Sequence, residues 1–245
     1  MLSRRNQVPF GIVLLLSLCS FGALIAGCAT PNWIDAIATR ENATNSSAIT
    51  NPNSVPPPFT GLIHFGLFNG VKQFNYGFSS RPPQSFSIFS EHKDVYSVGY
   101  PIACFIFLII AIIFALVSTI FGLVNTLTVP IETIHGVMGL YLWNAVGAAA
   151  CLIAWVVYLI LYLSHLTRNV LNQEDMGYPN NFRTTSVNFG FSFWLVVVSF
   201  FLFLLNILFV FLAHLLQDPN FLRKKKKESE MAKGSGNTVG LGLMY

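Results

Sequence analysis

Side chains able to do acid–base, metal or thiol chemistry are few in this chain: ten carboxylates, five histidines and four cysteines among 245 residues. His64, His92, His135, His165 and His214 are scattered, and no two stand at a metal-ligand spacing. Neither a nucleophile–base constellation nor a glycine-rich phosphate loop accompanies them. The sequence argues against an enzyme, a resident cofactor and a nucleic-acid partner. Cys19, Cys28, Cys104 and Cys151 read as small packing residues, with a Cys28–Cys104 bridge as the alternative.

What remains is chemistry of recognition. Asn42-Ala43-Thr44 and Asn45-Ser46-Ser47 are glycosylation sequons in a polar stretch rich in Asn, Ser and Pro, so a glycan is expected at Asn42 or Asn45. Arg223, Lys224, Lys225, Lys226 and Lys227 form a basic run that fixes topology. Near an anionic leaflet each contributes roughly 1 kcal/mol of attraction. The chain ends Leu243-Met244-Tyr245. Leu243 and Tyr245 alternate onto one side of an extended tail, and a terminal carboxylate beside them suits capture by a PDZ scaffold.

These features hang on four long apolar runs, Phe10–Ala29, Pro101–Val124, Val137–Leu163 and Trp194–Leu216. The first three lack Asp, Glu, Lys, Arg and His, and the fourth carries only His214. Each reaches the roughly 20 residues that a helix needs to cross a bilayer. The expected fold is an all-α membrane protein, a four-transmembrane-helix bundle with spans over 10–29, 101–124, 137–163 and 194–216. Arg4-Arg5 followed by an apolar run and Ile25-Ala26-Gly27-Cys28 also matches a lipoprotein signal. The run exceeds a signal core of about 7–15 residues, and it is read as a span.

Charge orients the bundle. Of the net charge of +4, the amino terminus (1–9) supplies +2, the link 125–136 supplies −1 through Glu132, and the tail 217–245 supplies +3. The positive-inside rule places those three pieces in the cytosol and residues 30–100 and 164–193 outside. In the first outer loop, Ile63, Phe65 and Leu67 alternate, as do Phe86 and Ile88, while Asn69-Gly70 signals a turn. A small extracellular antiparallel β-sheet is expected there. Asn144 and Asn206 are the most deeply placed polar side chains of the spans. Each should point into the bundle, to bond between helices or, as an alternative, to line a path.

Trp33 after the first span and Gly66-Leu67-Phe68 in the loop resemble the claudin-like superfamily, in which such residues pack the extracellular sheet. A nearer resemblance is to the clarins. It rests on Thr30-Pro31-Asn32-Trp33-Ile34, Phe65-Gly66-Leu67-Phe68-Asn69-Gly70-Val71-Lys72-Gln73, Arg81-Pro82, Pro130-Ile131-Glu132-Thr133-Ile134-His135-Gly136, Gly139-Leu140-Tyr141-Leu142-Trp143-Asn144, Ser192-Phe193-Trp194, Leu205-Asn206 and Leu243-Met244-Tyr245. One departure stands out: where related clarins carry two loop cysteines, this chain reads Ala38-Thr39-Arg40-Glu41 and Gln73-Phe74-Asn75. The resemblance implies a non-enzymatic organiser of the plasma membrane, associated with stereocilia, synapses, actin-linked architecture and hearing. A claudin-type adhesion protein and an auxiliary channel subunit are the other two classes, each with its own partner.

Overall fold

The computed structural model describes residues 8–41, 56–77, 80–93, 95–127 and 137–217. Asn42, Asn45, the basic run from Arg223 and the Leu243-Met244-Tyr245 terminus lie outside them.

Four helices are long and apolar enough to cross a membrane: α1 (Val8–Ala29), α3 (Gly99–Leu127), α4 (Val137–Leu161) and α6 (Phe191–Gln217). A π-helical turn, Tyr162–Leu166, continues α4. The longest, α3, runs beyond its apolar core at both ends for local reasons. Pro101 falls in the first turn of α3, where its missing N–H costs no ladder bond. At the other end, Asn125 and Thr126 turn their side chains back to the carbonyls of Phe121 and Gly122, four residues earlier.

The helices form a ring in which α1 packs on α3, α3 on α4, α4 on α6 and α6 on α1. Spacing dictates that arrangement. Buried positions of α3 are Pro101, Cys104, Leu108, Ala111, Ala115, Ser118, Gly122 and Asn125. Those of α1 are Phe10, Val13, Ser17, Ser20, Leu24 and Gly27, with Pro9 buried beside Phe10 at its start. Both sets alternate steps of three and four, the 3.5-residue repeat that keeps one seam of a helix facing its neighbours. Many seam residues are small, which lets backbones approach where lipid supplies no hydrophobic drive. The outward positions, such as Leu15, Ile106, Ile113, Ile120, Phe201 and Leu208, are large and apolar. Large apolar side chains thus face lipid, while small apolar residues and the few polar side chains of the spans face inward.

A five-stranded antiparallel sheet caps one end: β1 (Ile34–Arg40), β2 (Thr60–Phe65), β3 (Asn69–Phe74), β4 (Gln84–Ser87) and β5 (Phe182–Phe189), in the order β4-β3-β2-β1-β5. Short helices α2 (Ile88–Glu91) and α5 (Gln173–Met176) flank it. The sheet exceeds the first-loop hairpins expected from sequence, because β5 comes from the connection between α4 and α6 and pairs with β1 along its length. The turn also differs. Gly66 N–H donates to Asn69 O at 2.9 Å, so the loop is Gly66–Asn69, and Asn69-Gly70 opens β3. A Cβ at Gly66 would lie 2.8 Å from Pro31 Cα and 2.9 Å from Thr30 O, which reserves the position for glycine.

Trp33 joins the cap to the bundle. Its indole Nε1 donates to Gly27 O at 2.7 Å, satisfying a carbonyl of the last turn of α1. Its backbone donates to Phe65 O and accepts from Gly190 N–H, stitching β2 and the β5–α6 junction to one residue. Tyr158 of α4 lies 4.6 Å away, centroid to centroid, and Phe193 of α6 lies 6.2 Å away. Trp33→Ala should therefore cost on the order of 3–5 kcal/mol by cavity formation, with lost folded yield and retention before the cell surface as the cellular readout. Normal yield and delivery of that variant would show that the cap does not depend on Trp33.

Candidate functional site

Two polar constructions stand out, one in the bundle and one in the cap. In the bundle, Ser17, Ser118, Asn144 and Asn206 come one from each spanning helix, and all are fully buried. Ser17 Oγ and Ser118 Oγ are 3.0 Å apart. Asn144 Nδ2 donates to Ser118 Oγ at 2.8 Å and to Leu140 O at 2.8 Å. The Asn206 carboxamide reaches Ser17 Oγ at 2.8 Å and Asn144 Oδ1 at 3.1 Å with one arm, and Val13 O at 3.1 Å with the other.

Orientation of the Asn206 amide decides what is linked. With nitrogen on the first arm it donates to both Ser17 and Asn144, closing a chain through all four helices. Turned over, it donates to Val13 O and accepts from Ser17, binding α6 to α1 alone. Each choice leaves one pair of acceptors 3.1 Å apart, Oδ1 against Val13 O or against Asn144 Oδ1, and the first also sets Nδ2 3.3 Å from the Ser17 backbone N–H, whose hydrogen is spent within its own helix. Because Asn144 Nδ2 is committed to Leu140 and Ser118, we assign the first orientation, in which Asn144 Oδ1 has a donor. A carbonyl such as Val13 O already accepts within its helix and tolerates the crowding better.

In the cap, Lys72 points inward from β3, on the same face as Gly70 and Phe74. Its Nζ donates to Glu91 Oε2 at 2.7 Å and to Asp175 Oδ2 at 3.0 Å. Asn172 caps α5, accepting from Asp175 N–H at 2.8 Å, and its Nδ2 reaches Glu91 at 3.2 Å. This latch ties the α4–α6 connection to the α1–α3 connection. Arg40 donates to Pro179 O and Asn180 O, and Tyr76 Oη to Asn180 Oδ1, alongside it. Burial opposes the charge on Lys72, but its bonds to Glu91 and Asp175 overcome that and hold it above the usual lysine range. Burial lifts the Asp175 carboxyl above its ordinary range, Lys72 pulls it back, and Glu91 and Glu174 add to the lift. One buried ammonium serves two carboxylates.

His92 is enclosed beside the latch, with the rings of Phe65, Phe86 and Tyr96 at 5.2, 5.1 and 5.6 Å. Its Nε2 donates to Val170 O at 2.9 Å, while Nδ1 has no partner. Between Lys72, Tyr76, Arg81, Glu91, Glu174 and Asp175 opens a polar cavity of about 450 Å³.

Of the residues singled out in the sequence, Trp33, Gly66 and Leu67 are buried in one core, and Phe68 packs against it. Phe68 meets Phe105 of α3 at 4.7 Å, so the Gly66-Leu67-Phe68 turn grips a different helix from Trp33. Asn144 and Asn206 meet one another. The four cysteines are free thiols. Across the sheet, the Phe74 ring packs on Phe182 at 4.5 Å, tilted by 38°. A Cβ on Gly61, the cross-strand neighbour of both Ala38 and Phe74, would strike the Phe74 ring. Lys72, Glu91, His92 and Asp175 were missed as a site. The one readable signal is a lysine at an inward position of a strand.

Comparison with known proteins decides the family. The family described as Clarin-2-like matches residues 5–210. This chain belongs to the clarin family. Mouse Clarin-1 is 29% identical over 245 residues, covering 99% of both chains. Human Clarin-3 is 28% identical over 226 residues, 88% of each, and mouse Clarin-2 is 27% identical over 195 residues, 79% of this chain and 82% of that one. The protein is thus a clarin-like, multi-pass tetraspan membrane protein with a claudin-like fold.

For this clarin the cap makes a pH prediction. Desolvation, partly offset by the bond to Val170 and the charge of Glu91, lowers His92 from 6.5 to about 4, with Lys72 adding to the fall. A depressed histidine contributes stability that is present above its unfolded value and lost as pH falls through its folded one. Acidification from pH 7 to 4 should remove about 3 kcal/mol through this residue. Asp175, being raised, works in the opposite sense in the carboxylate range. His92→Phe should flatten the stability profile between about pH 6.5 and 4, read by thermal unfolding in lipid nanodiscs. An unchanged slope would mean that another group governs the acid limb.

Proposed function

We propose that this clarin is a non-enzymatic organiser of the plasma membrane that couples a membrane patch to a cytosolic scaffold. One observation carries the reading most: Ser17, Ser118, Asn144 and Asn206 bond to one another rather than line an open path. Interior polar groups committed in this way act as fasteners, not as conducting or reacting groups. Recognition then falls to the two ends of the molecule. In this reading the sheet cap faces outside with a glycan at Asn42 or Asn45, and both termini are cytosolic. Arg223 and Lys224–Lys227 hold the tail near the anionic leaflet, and Leu243-Met244-Tyr245 adds a strand to a PDZ domain. Family membership extends the proposal to actin-linked membrane projections of sensory cells.

One glycine added after Tyr245 displaces the carboxylate that PDZ capture requires. The extended protein should fold and insert normally yet lose its scaffold in affinity purification. Changing Lys224–Lys227 to Gln should instead weaken retention of the tail at the membrane in a salt-sensitive way. Recovery of the same partners by the glycine-extended chain would overturn the docking role and move the function to the cap or the helix faces.

A further inference from the structure

The cavity between the two connections of the cap is lined by charges of both signs, and they are not equally engaged. Lys72 is committed to Glu91 and Asp175 on its floor. On the rim stand Arg81 and Glu174, both exposed, and among the described residues neither meets an opposite charge. Arg81 is not a loose side chain. Its guanidinium lies over the Tyr76 ring at 4.2 Å, while Tyr76 Oη is anchored on Asn180. Stacking of this kind fixes the plane of the fork and leaves its N–H edges to grip a planar carboxylate.

We infer that this cavity binds a dipolar ligand, its carboxylate on Arg81 and its ammonium against Glu174 beside the Asp175 carboxylate. Elimination gives the class. A purely cationic ligand would confront Arg81, a purely anionic one would confront three carboxylates, and an apolar one would strip water from every rim charge without replacing it. A neutral polar ligand can hydrogen-bond to either rim group but neutralises neither, whereas a ligand carrying both signs answers the two uncommitted charges together. A volume of about 450 Å³ lies in the range of small-ligand sites and takes a group of amino-acid to dipeptide size. The dipole has two sources: a free zwitterion, or adjacent basic and acidic side chains on an extracellular segment of another protein.

Three probes separate these sources on the full chain in lipid nanodiscs, read by ligand-observed NMR. Glycylglycine presents free termini, acetyl-Lys-Glu-amide presents the dipole on side chains alone, and acetyl-Gly-Gly-amide presents neither. The inference expects one or both of the first two to bind and the third not to. Binding should weaken about tenfold or more in both Arg81→Gln and Glu174→Gln. These rim residues are exposed, so thermal unfolding of both variants should match the parent. Preference for glycylglycine identifies a free zwitterion, and preference for the blocked Lys-Glu peptide identifies a protein segment. No binding of either dipolar probe up to about 10 mM, equal binding of the neutral probe, or unchanged binding by the two variants would overturn the inference.

Discussion

Inside a bilayer a polar side chain has only other protein groups to bond with, and that constraint organises this molecule. Ser17, Ser118, Asn144 and Asn206 would each forfeit hydrogen bonds if turned toward lipid. Placed one per helix at the crossing of four seams, they bond to each other and define how deep each helix sits against the next. Apolar packing alone specifies depth weakly, since small residues repeat along α1, α3 and α4 and a shifted helix would still find a smooth partner. A shift of one turn, about 5.4 Å, would orphan at least two of the four polar groups in hydrocarbon.

With the helices in register, the cap can be assembled on their ends. Trp33 leaves α1 beneath the sheet, bonds back to Gly27, and meets Tyr158 from α4, the helix opposite, and Phe193 from the neighbouring α6. The strands it starts come from both connections, so the sheet exists only when α4 and α6 are correctly placed. Lys72, Glu91 and Asp175 then lock the second connection against the first. A disulfide is not needed for this closure. Phe74 packs on Phe182 across the sheet in space that Gly61 leaves open, and the energy comes from packing, as in a soluble core.

How much of this was readable from the residues differs by element. The four spans are evident because lipid demands about 20 apolar residues from each, and the family was evident from ordered blocks such as Trp33 and Asn69-Gly70. A paired strand in the first loop could be read from the alternation of Ile63 and Phe65. β1 was not read, since its inward residues Ala36 and Ala38 are too small to give a strong alternating signal. β5 was missed because its partner lies 142–155 residues earlier in the chain, a pairing that periodicity cannot supply. The turn moved to Gly66–Asn69 because Gly66 is held against Pro31, a tertiary contact that overrode a local preference for Asn-Gly. Within the bundle, Asn144 and Asn206 announce themselves as amides among aliphatic residues. Ser17 and Ser118 do not, because a serine can return its proton to its own helix. The latch was hidden for another reason: each loop balances its own charges on paper, yet Lys72 of one loop pairs with Asp175 of the other.

The central claim is that Asn206 joins α4 as well as α1, and a double-mutant cycle between Asn144 and Asn206 tests it most directly. Each asparagine is replaced by the near-isosteric leucine, singly and together, and the unfolding free energy is measured in a bilayer. Donation from Asn206 to Asn144 Oδ1 predicts a favourable coupling of about 0.6–1.7 kcal/mol, the range of interhelical hydrogen bonds in membranes. A coupling of zero, or one in which the two substitutions relieve each other, would place two acceptors face to face at that contact and contradict the four-helix clasp.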